Sequence, residues 1–150
     1  MNAAETRRKV ARFFQRYAER FQRALDDAGA DTAGVVDSFA DYVVGSGPAG
    51  VRGGKNGLMF KFAMGRGFAH YRKIGTVSMK VAKLDVERLD DGHVLAKVTW
   101  DSRYVRRKDG ARIRIVFANR YLLRLKRGAP KIFAYITGDE QAALKKHGLV

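Results

Sequence analysis

The stretch "TVSMKVAKLDVERL", residues 76–89, alternates apolar and polar side chains as a half-buried strand does, but its phase slips once. Val77, Met79 and Val81 share one face, and the next apolar positions are Leu84 and Val86. One extra residue near Ala82 and Lys83 marks a β-bulge, and a bulged strand bends. A curved sheet is therefore the expectation. Downstream the period stays at two. "DDG", residues 90–92, is read as a three-residue hairpin loop with Gly92 left-handed. The strand after it places Val94, Ala96, Val98, Trp100, Ser102 and Tyr104 on one face. "KDG" then turns into "IRIVFANRYLLRL", residues 113–125. Its apolar stripe of Ile113, Ile115, Phe117, Tyr121, Leu123 and Leu125 is interrupted by one amide, Asn119. With Asp109 and Gly110 as a two-residue turn, Trp100 falls opposite Asn119 and Tyr104 opposite Ile115. "RGAP" turns the chain into a last strand, "KIFAYIT", and Thr137 and Glu140 have capping-box spacing for a short helix ending near Gly148.

Upstream of Thr76 the period is helical. Val10, Phe13, Phe14, Tyr17, Phe21, Ala24 and Leu25 form one face of a long amphipathic helix, and Arg12, Arg16, Arg20 and Arg23 take the other. "DDAGAD" breaks it. Asp31 or Thr32 can cap a second helix carrying Val35, Val36, Phe39, Ala40 and Val43, ended near Gly45. "GSGPAGVRGG" reads as a loop with room for one short strand. Asn56 is the expected cap of a third helix through "GLMFKFAMGRGFAHYRKI", apolar around most of its circumference and so expected to be buried on more than one side.

The chain has 150 residues, enough for one domain with a real core, and it shows no repeat, linker or second domain. Lys and Arg number 30 against 15 Asp and Glu, a net charge of +15 that suits an anionic partner and serves solubility equally. With no cysteine, disulfides, thiolate metal sites and a cysteine nucleophile are excluded. "MNAAETRRKVARFFQRY" lacks the apolar core of a secretory signal, and no later run is long enough to span a bilayer. A cytoplasmic location and no membrane partner are expected. His70, His93 and His147 lack ligand-type spacing, so no metal is expected, and no other cofactor is expected either.

Three helices followed by a curved antiparallel meander with a bulged first long strand resemble the nuclear transport factor 2-like superfamily, which includes ketosteroid isomerases and polyketide cyclases. The local marks are "QRY" at Gln15 to Tyr17, "FAD" at Phe39 to Asp41 ending the second helix, and the helix, bulge and hairpin order after Asn56. The resemblance spans residues 1–150 as a single α+β domain. It implies a cone of three N-terminal helices packed on a curved, bulged antiparallel sheet, with a short C-terminal helix. The cone of this superfamily often holds a small apolar ligand or a reaction site. By the same resemblance, Tyr17 matches the oxyanion-hole tyrosine of ketosteroid isomerases and Asn119 their protonated aspartate, while the base aspartate falls on Gly47, before Pro48. A donor pair without that base can hold a carbonyl or phenol but cannot enolise it by the isomerase route. Enzyme status is left open.

Three functional readings follow. In the first, Tyr17 and Asn119 orient a small apolar or weakly anionic molecule, with Phe21, Phe60, Met64, Trp100 and Tyr104 as the core residues that wall the pocket. In the second, Arg103, Arg112, Arg114, Arg120 and Arg124 bind a polyanion or nucleic acid, weakly and without sequence preference, because the aromatic residues point to the opposite face. Between Arg103 and Lys131 the chain carries eleven Lys and Arg against Asp109 alone. In the third, the protein is a dimeric scaffold with a filled cone. Val105, Val116, Ala118 and Leu122 among the arginines suit a homodimer through the outer sheet face, with Asp101 neutralising Arg120. "GGKN" before the third helix is not a phosphate loop: Ala49 stands where Walker A requires glycine, and Asn56 where it requires Ser or Thr. It is expected to be an access loop at the cone mouth.

Overall fold

The computed structural model describes residues 1–29, 32–125 and 129–150. Helices α1 (Ala3–Asp26) and α2 (Ala33–Val36) precede a hairpin of β1 (Phe39–Gly47) and β2 (Gly50–Lys55). Helix α3 (Leu58–Lys73) leads into β3 (Thr76–Asp90), β4 (His93–Val105), β5 (Arg112–Arg124) and β6 (Lys131–Ile136), and α4 (Glu140–Lys146) closes the chain. The strands form one sheet in the order β2-β1-β6-β5-β4-β3. Neighbours are antiparallel except β1 and β6, which run parallel.

The bulge lies where the slipped alternation puts it. The register of β3 on β4 shifts between Val81 and Lys83, leaving Ala82 over, with further shifts after Thr76 and Arg88. Strand β3 is an edge, and its backbone needs partners on its open side. Helix α1 supplies some. Gln22 donates to the Val77 carbonyl at 2.9 Å and accepts from the Met79 amide at 3.4 Å, while Arg7 donates to the Leu84 carbonyl at 2.9 Å. The helix itself starts in a capping box, with Asn2 Oδ1 accepting from the Glu5 amide at 2.8 Å. Its face of Val10, Phe14, Tyr17, Phe21, Ala24 and Leu25 is buried against Val94, Ala96, Val98 and Trp100 of β4 and Tyr121 and Leu123 of β5, as the two periodicities require.

The region after α1 departs from expectation. The second helix lasts one turn, and Phe39, Ala40 and Val43 belong to β1 instead. Five apolar residues at spacings of one, three, one and three fit a helix, but Tyr42, Val43 and Val44 prefer a strand, and β6 offers an unpaired edge. "FAD" therefore opens a strand. The supposed loop is a hairpin in which Gly47 pairs with Gly50 around Pro48 and Ala49. Gly50 sits at φ 110, a conformation open to glycine. The "GGKN" segment supplies three residues of β2 rather than an access loop. Asn56 is not the cap of α3, which begins after Gly57. Its amide donates to the carbonyls of Val36 at 3.1 Å and Phe39 at 3.2 Å, joining the end of α2 to the start of β1.

Helix α3 runs unbroken through Gly65 and Gly67, but it is buried on one side only. Phe68 is its one fully buried residue, and Leu58, Met59 and Phe62 are exposed. The β3–β4 turn has two residues, Asp91 and Gly92, and positive φ falls on Gly50, Gly75, Gly110 and Gly148 rather than on Gly92. The β4–β5 loop is longer than a two-residue turn. Gly110 donates to the Arg106 carbonyl at 2.7 Å and Arg106 to the Ala111 carbonyl at 2.8 Å, with the Arg106–Asp109 ion pair at 2.7 Å holding the loop. The register consequently moves by two: Trp100 pairs with Phe117, Val98 with Asn119, and Tyr104 with Ile113. An even shift leaves every side chain on its expected face. The "RGAP" turn falls largely outside the described residues. Helix α4 is capped by Asp139, not Thr137. Asp139 Oδ1 accepts from the Ala142 amide at 2.9 Å, and Gly148 ends the helix at φ 68.

Candidate functional site

Between α1, α3 and the concave face of the sheet lies a cavity of about 290 Å³. Its walls are mostly aromatic, and the sequence-selected Tyr17, Phe21, Phe60, Met64, Trp100 and Asn119 all line it. Helix α1 brings Tyr17 and Phe21 one turn apart. Helix α3 brings Phe60, Met64 and Tyr71 at helical spacing, and β4 and β5 bring Trp100, Phe117, Asn119 and Tyr121. Tyr104 stands apart. It belongs to a second cluster with Ile74, Ile115, Leu144 and Leu149, and its hydroxyl donates to Ser102 Oγ at 3.0 Å.

The amide on the apolar stripe has a partner. Asn119 Nδ2 donates to Tyr121 Oη at 3.3 Å, and Trp100 Nε1, in a side chain 1% exposed, donates to the same oxygen at 3.1 Å. A phenolic oxygen accepts two hydrogen bonds and donates one. With both acceptor positions filled, the Tyr121 proton is left to point elsewhere, and the cavity lies beside it. Tyr17, 8% exposed, forms no hydrogen bond through its hydroxyl to any described residue. Its ring centroid is 6.5 Å from that of Tyr121 and 6.0 Å from that of Trp100.

Burial raises the Tyr17 pKa well above its ordinary value, with Tyr121 and Tyr135 adding to the effect. Burial also raises Tyr121, partly offset by the hydrogen bonds from Asn119 and Trp100. Both phenols are thus held protonated and able to donate. Tyr71 is raised too, first by burial and then by the charge and hydrogen bond of Glu140. Glu140, in the first turn of α4, supplies the one carboxylate among the residues that line this cavity. Sequence reasoning missed Tyr71, Tyr121 and Glu140. Tyr121 shares the Asn119 stripe and Tyr71 continues the α3 spacing, so both left a signal; Glu140 read only as a helix cap.

Gly47, which the resemblance sets against the isomerase base, has little room for a side chain. A Cβ at Gly47 would lie 2.9 Å from Thr137 Oγ1, a cavity-lining group. Gly45 is equally constrained, because a Cβ there would come within 2.4 Å of the Tyr135 ring that crosses it. On the outer face, Arg103, Arg112, Arg114, Arg120 and Arg124 are all exposed. Asp101 pairs with Arg114 at 3.1 Å and Arg103 at 3.3 Å, so it does not neutralise Arg120, which lies opposite Lys97. The shifted register is the reason: Asp101 faces Val116, and Arg114 becomes its diagonal neighbour. Among the described residues no group of three His, Cys, Asp or Glu could hold a metal, and no helix is long and apolar enough to cross a membrane.

Solved structures share this architecture at low identity. Aln2 from a Streptomyces species is similar at a TM-score of 0.67 and 19% identity, covering 97% of this chain and 99% of that one. An NTF2-like protein with a cystatin-like fold from Novosphingobium aromaticivorans gives 0.66 and 14%, covering 98% and 90%. A ketosteroid isomerase-like protein from Erwinia carotovora atroseptica gives 0.61 and 16%, covering 87% and 92%. No curated protein sequence matches the chain. Residues 5–140 match the family described as NTF2-like protein (DUF6841), and the chain belongs to that family.

Proposed function

We propose that the cone binds a small, mostly apolar molecule through one oxygen, a carbonyl or phenol, that accepts hydrogen bonds from Tyr17 and Tyr121. The observation that carries this reading is the Tyr121 hydroxyl, which accepts from Trp100 and Asn119 and lines an aromatic cavity, leaving its own proton free to donate to a ligand there. Asn119 acts here by aiming Tyr121, not by touching the ligand with its amide donor. The cavity of about 290 Å³ is at the low end of ligand sites, which suits a molecule of one or two rings and speaks against a cone filled by its own side chains. Glu140 on the same wall favours a neutral ligand over a carboxylate. NTF2-like folds commonly serve as small-molecule sites, which agrees with the reading without choosing the ligand.

A titration with a naphthol and with naphthalene tests it. The naphthol should bind more tightly, and Tyr17→Phe should weaken it by about two- to tenfold, the worth of one net hydrogen bond. Naphthalene binding should be unchanged by that substitution. Equal affinity for the two compounds, or failure of both to bind, overturns the proposal.

A further inference from the structure

A second concavity lies along a neighbouring face of α1, about a quarter-turn round the helix from the side that carries Tyr17 and Phe21 into the aromatic cavity. It measures about 490 Å³ and is lined by Lys9, Arg12, Phe13, Arg16 and Arg20 on one wall and by Asp37, Pro130 and Lys131 on the other. Five cations face one carboxylate. The helical cations fall at i, i+3, i+7 and i+11, one continuous row on a single face. Like charges at such spacing repel and weaken a helix, so the fold gains nothing from stacking them.

The cations are also uncommitted to acids. Among the described residues Lys9, Arg12 and Arg16 form no ion pair. Arg20 donates to the Gly34 carbonyl at 3.1 Å, and Lys131 donates to the Asp37 carbonyl. Both bonds go to neutral oxygens, which fix the side chains and leave their charges in place. Glu19, the nearest acid to Arg16 and Arg20 in sequence, lines a different groove with Arg7 and Gln15. The outer sheet face differs, because Asp101 already holds Arg103 and Arg114 there.

We propose that this groove binds the phosphate backbone of single-stranded nucleic acid without reading sequence. The shape of the array selects a strand over a single anion. From Lys9 to Arg20 the row runs eleven residues, roughly 16 Å along the helix axis at 1.5 Å per residue. Spread along that length, the volume gives a cross-section of about 30 Å², room for one backbone and far too little for a duplex. Phe13, half-buried in the groove floor, offers one aromatic face for a base to stack on. No helix or aromatic row among the described residues is placed to read base edges, so charge carries the binding and salt weakens it.

The test is anisotropy of a labelled oligo-uridylate with the full chain at two salt concentrations. With four phosphate contacts, a fourfold rise in salt should weaken binding by about 50-fold, taking roughly 0.7 counterions per contact for a single strand. In the double variant Arg12→Ala, Arg16→Ala the same rise should cost only about sevenfold. Both side chains are exposed and alanine favours the helix, so its melting temperature should not fall, which makes loss of binding a loss of contacts. A sheet variant, Arg112→Ser with Arg114→Ser, should retain the parent affinity. Retained binding in the helix variant, lost binding in the sheet variant, or equal competition by duplex overturns the proposal. Absence of oligonucleotide binding alongside retention on phosphatidylserine vesicles overturns it too.

Discussion

Removing one hydroxyl from each of two neighbouring tyrosines should destabilise the fold in one case and leave it unchanged in the other. Tyr121→Phe takes away the acceptor shared by Trp100 Nε1 and Asn119 Nδ2. The Trp100 donor suffers most, since its side chain is almost wholly buried. Leaving one buried donor unpaired costs about 1–3 kcal/mol. Half-buried Asn119 can turn toward water in the cavity and adds little. For a domain of this size the loss lowers the melting temperature by roughly 3–10 °C. Tyr17→Phe removes a hydroxyl that bonds to no described residue, so its stability should stay within about 0.5 kcal/mol of the parent, and any effect should fall on ligand binding. Urea titration of both variants, with thermal melts beside it, checks the pair. A Tyr121→Phe protein as stable as the parent refutes the hydrogen-bond account, as does a Tyr17→Phe protein destabilised by more than about 1 kcal/mol.

The raised pKa values of Tyr17, Tyr71 and Tyr121 mean that the folded state favours the neutral phenols. Their contribution is fully present below the unfolded value near 10.0 and is lost as pH rises above it toward the folded values, so unfolding should set in steeply above that point. A pH titration followed by tyrosinate absorbance and circular dichroism checks this, and smooth ionisation without unfolding contradicts it. The outer sheet face, with Val105 and Val116 exposed among arginines, should pair two copies of the chain, and Val116→Asp should yield monomers. Sedimentation of the parent as a monomer at micromolar concentration removes that expectation.

Much of the fold was legible because side-chain period survives errors of detail. The slip between Val81 and Leu84 located the bulge, and the stripe through Trp100 and Asn119 located the cavity wall, although the β4–β5 register was off by two. That error came from the loop, where Arg106 and Asp109 hold a wider turn than the sequence suggests. It misassigned the partner of Asp101 but moved no residue to the other face. The second helix failed for another reason. Val35, Val36, Phe39 and Val43 satisfy a helical pattern locally, and only the free edge of β6, far away in sequence, decides for a strand. Glu140 joins Tyr71 across α3 and α4, a tertiary contact that no local pattern encodes.

A core serving stability alone would close the polar chain that runs from Trp100 through Tyr121 to Asn119. Partly satisfied networks in low dielectric are costly, and apolar replacements of the same shape are often neutral or better. Here the chain begins at a fully buried indole and ends at a half-buried amide beside open volume. Both donors run toward Tyr121 Oη, which leaves that hydroxyl's own proton without an acceptor in the network, a place the proposed ligand oxygen would fill. Water can supply that acceptor, but water gains nothing from the rings of Phe21, Phe39, Phe60 and Phe117 around it. A molecule with an oxygen at one end and a ring behind it satisfies both walls at once. The same helix that contributes Tyr17 and Phe21 to this cavity turns Arg12, Arg16 and Arg20 away from it. The proposed groove and the proposed cone site therefore use neighbouring faces of α1 and share no side chain of that helix, so Arg12→Ala and Tyr17→Phe each test one without removing a group of the other.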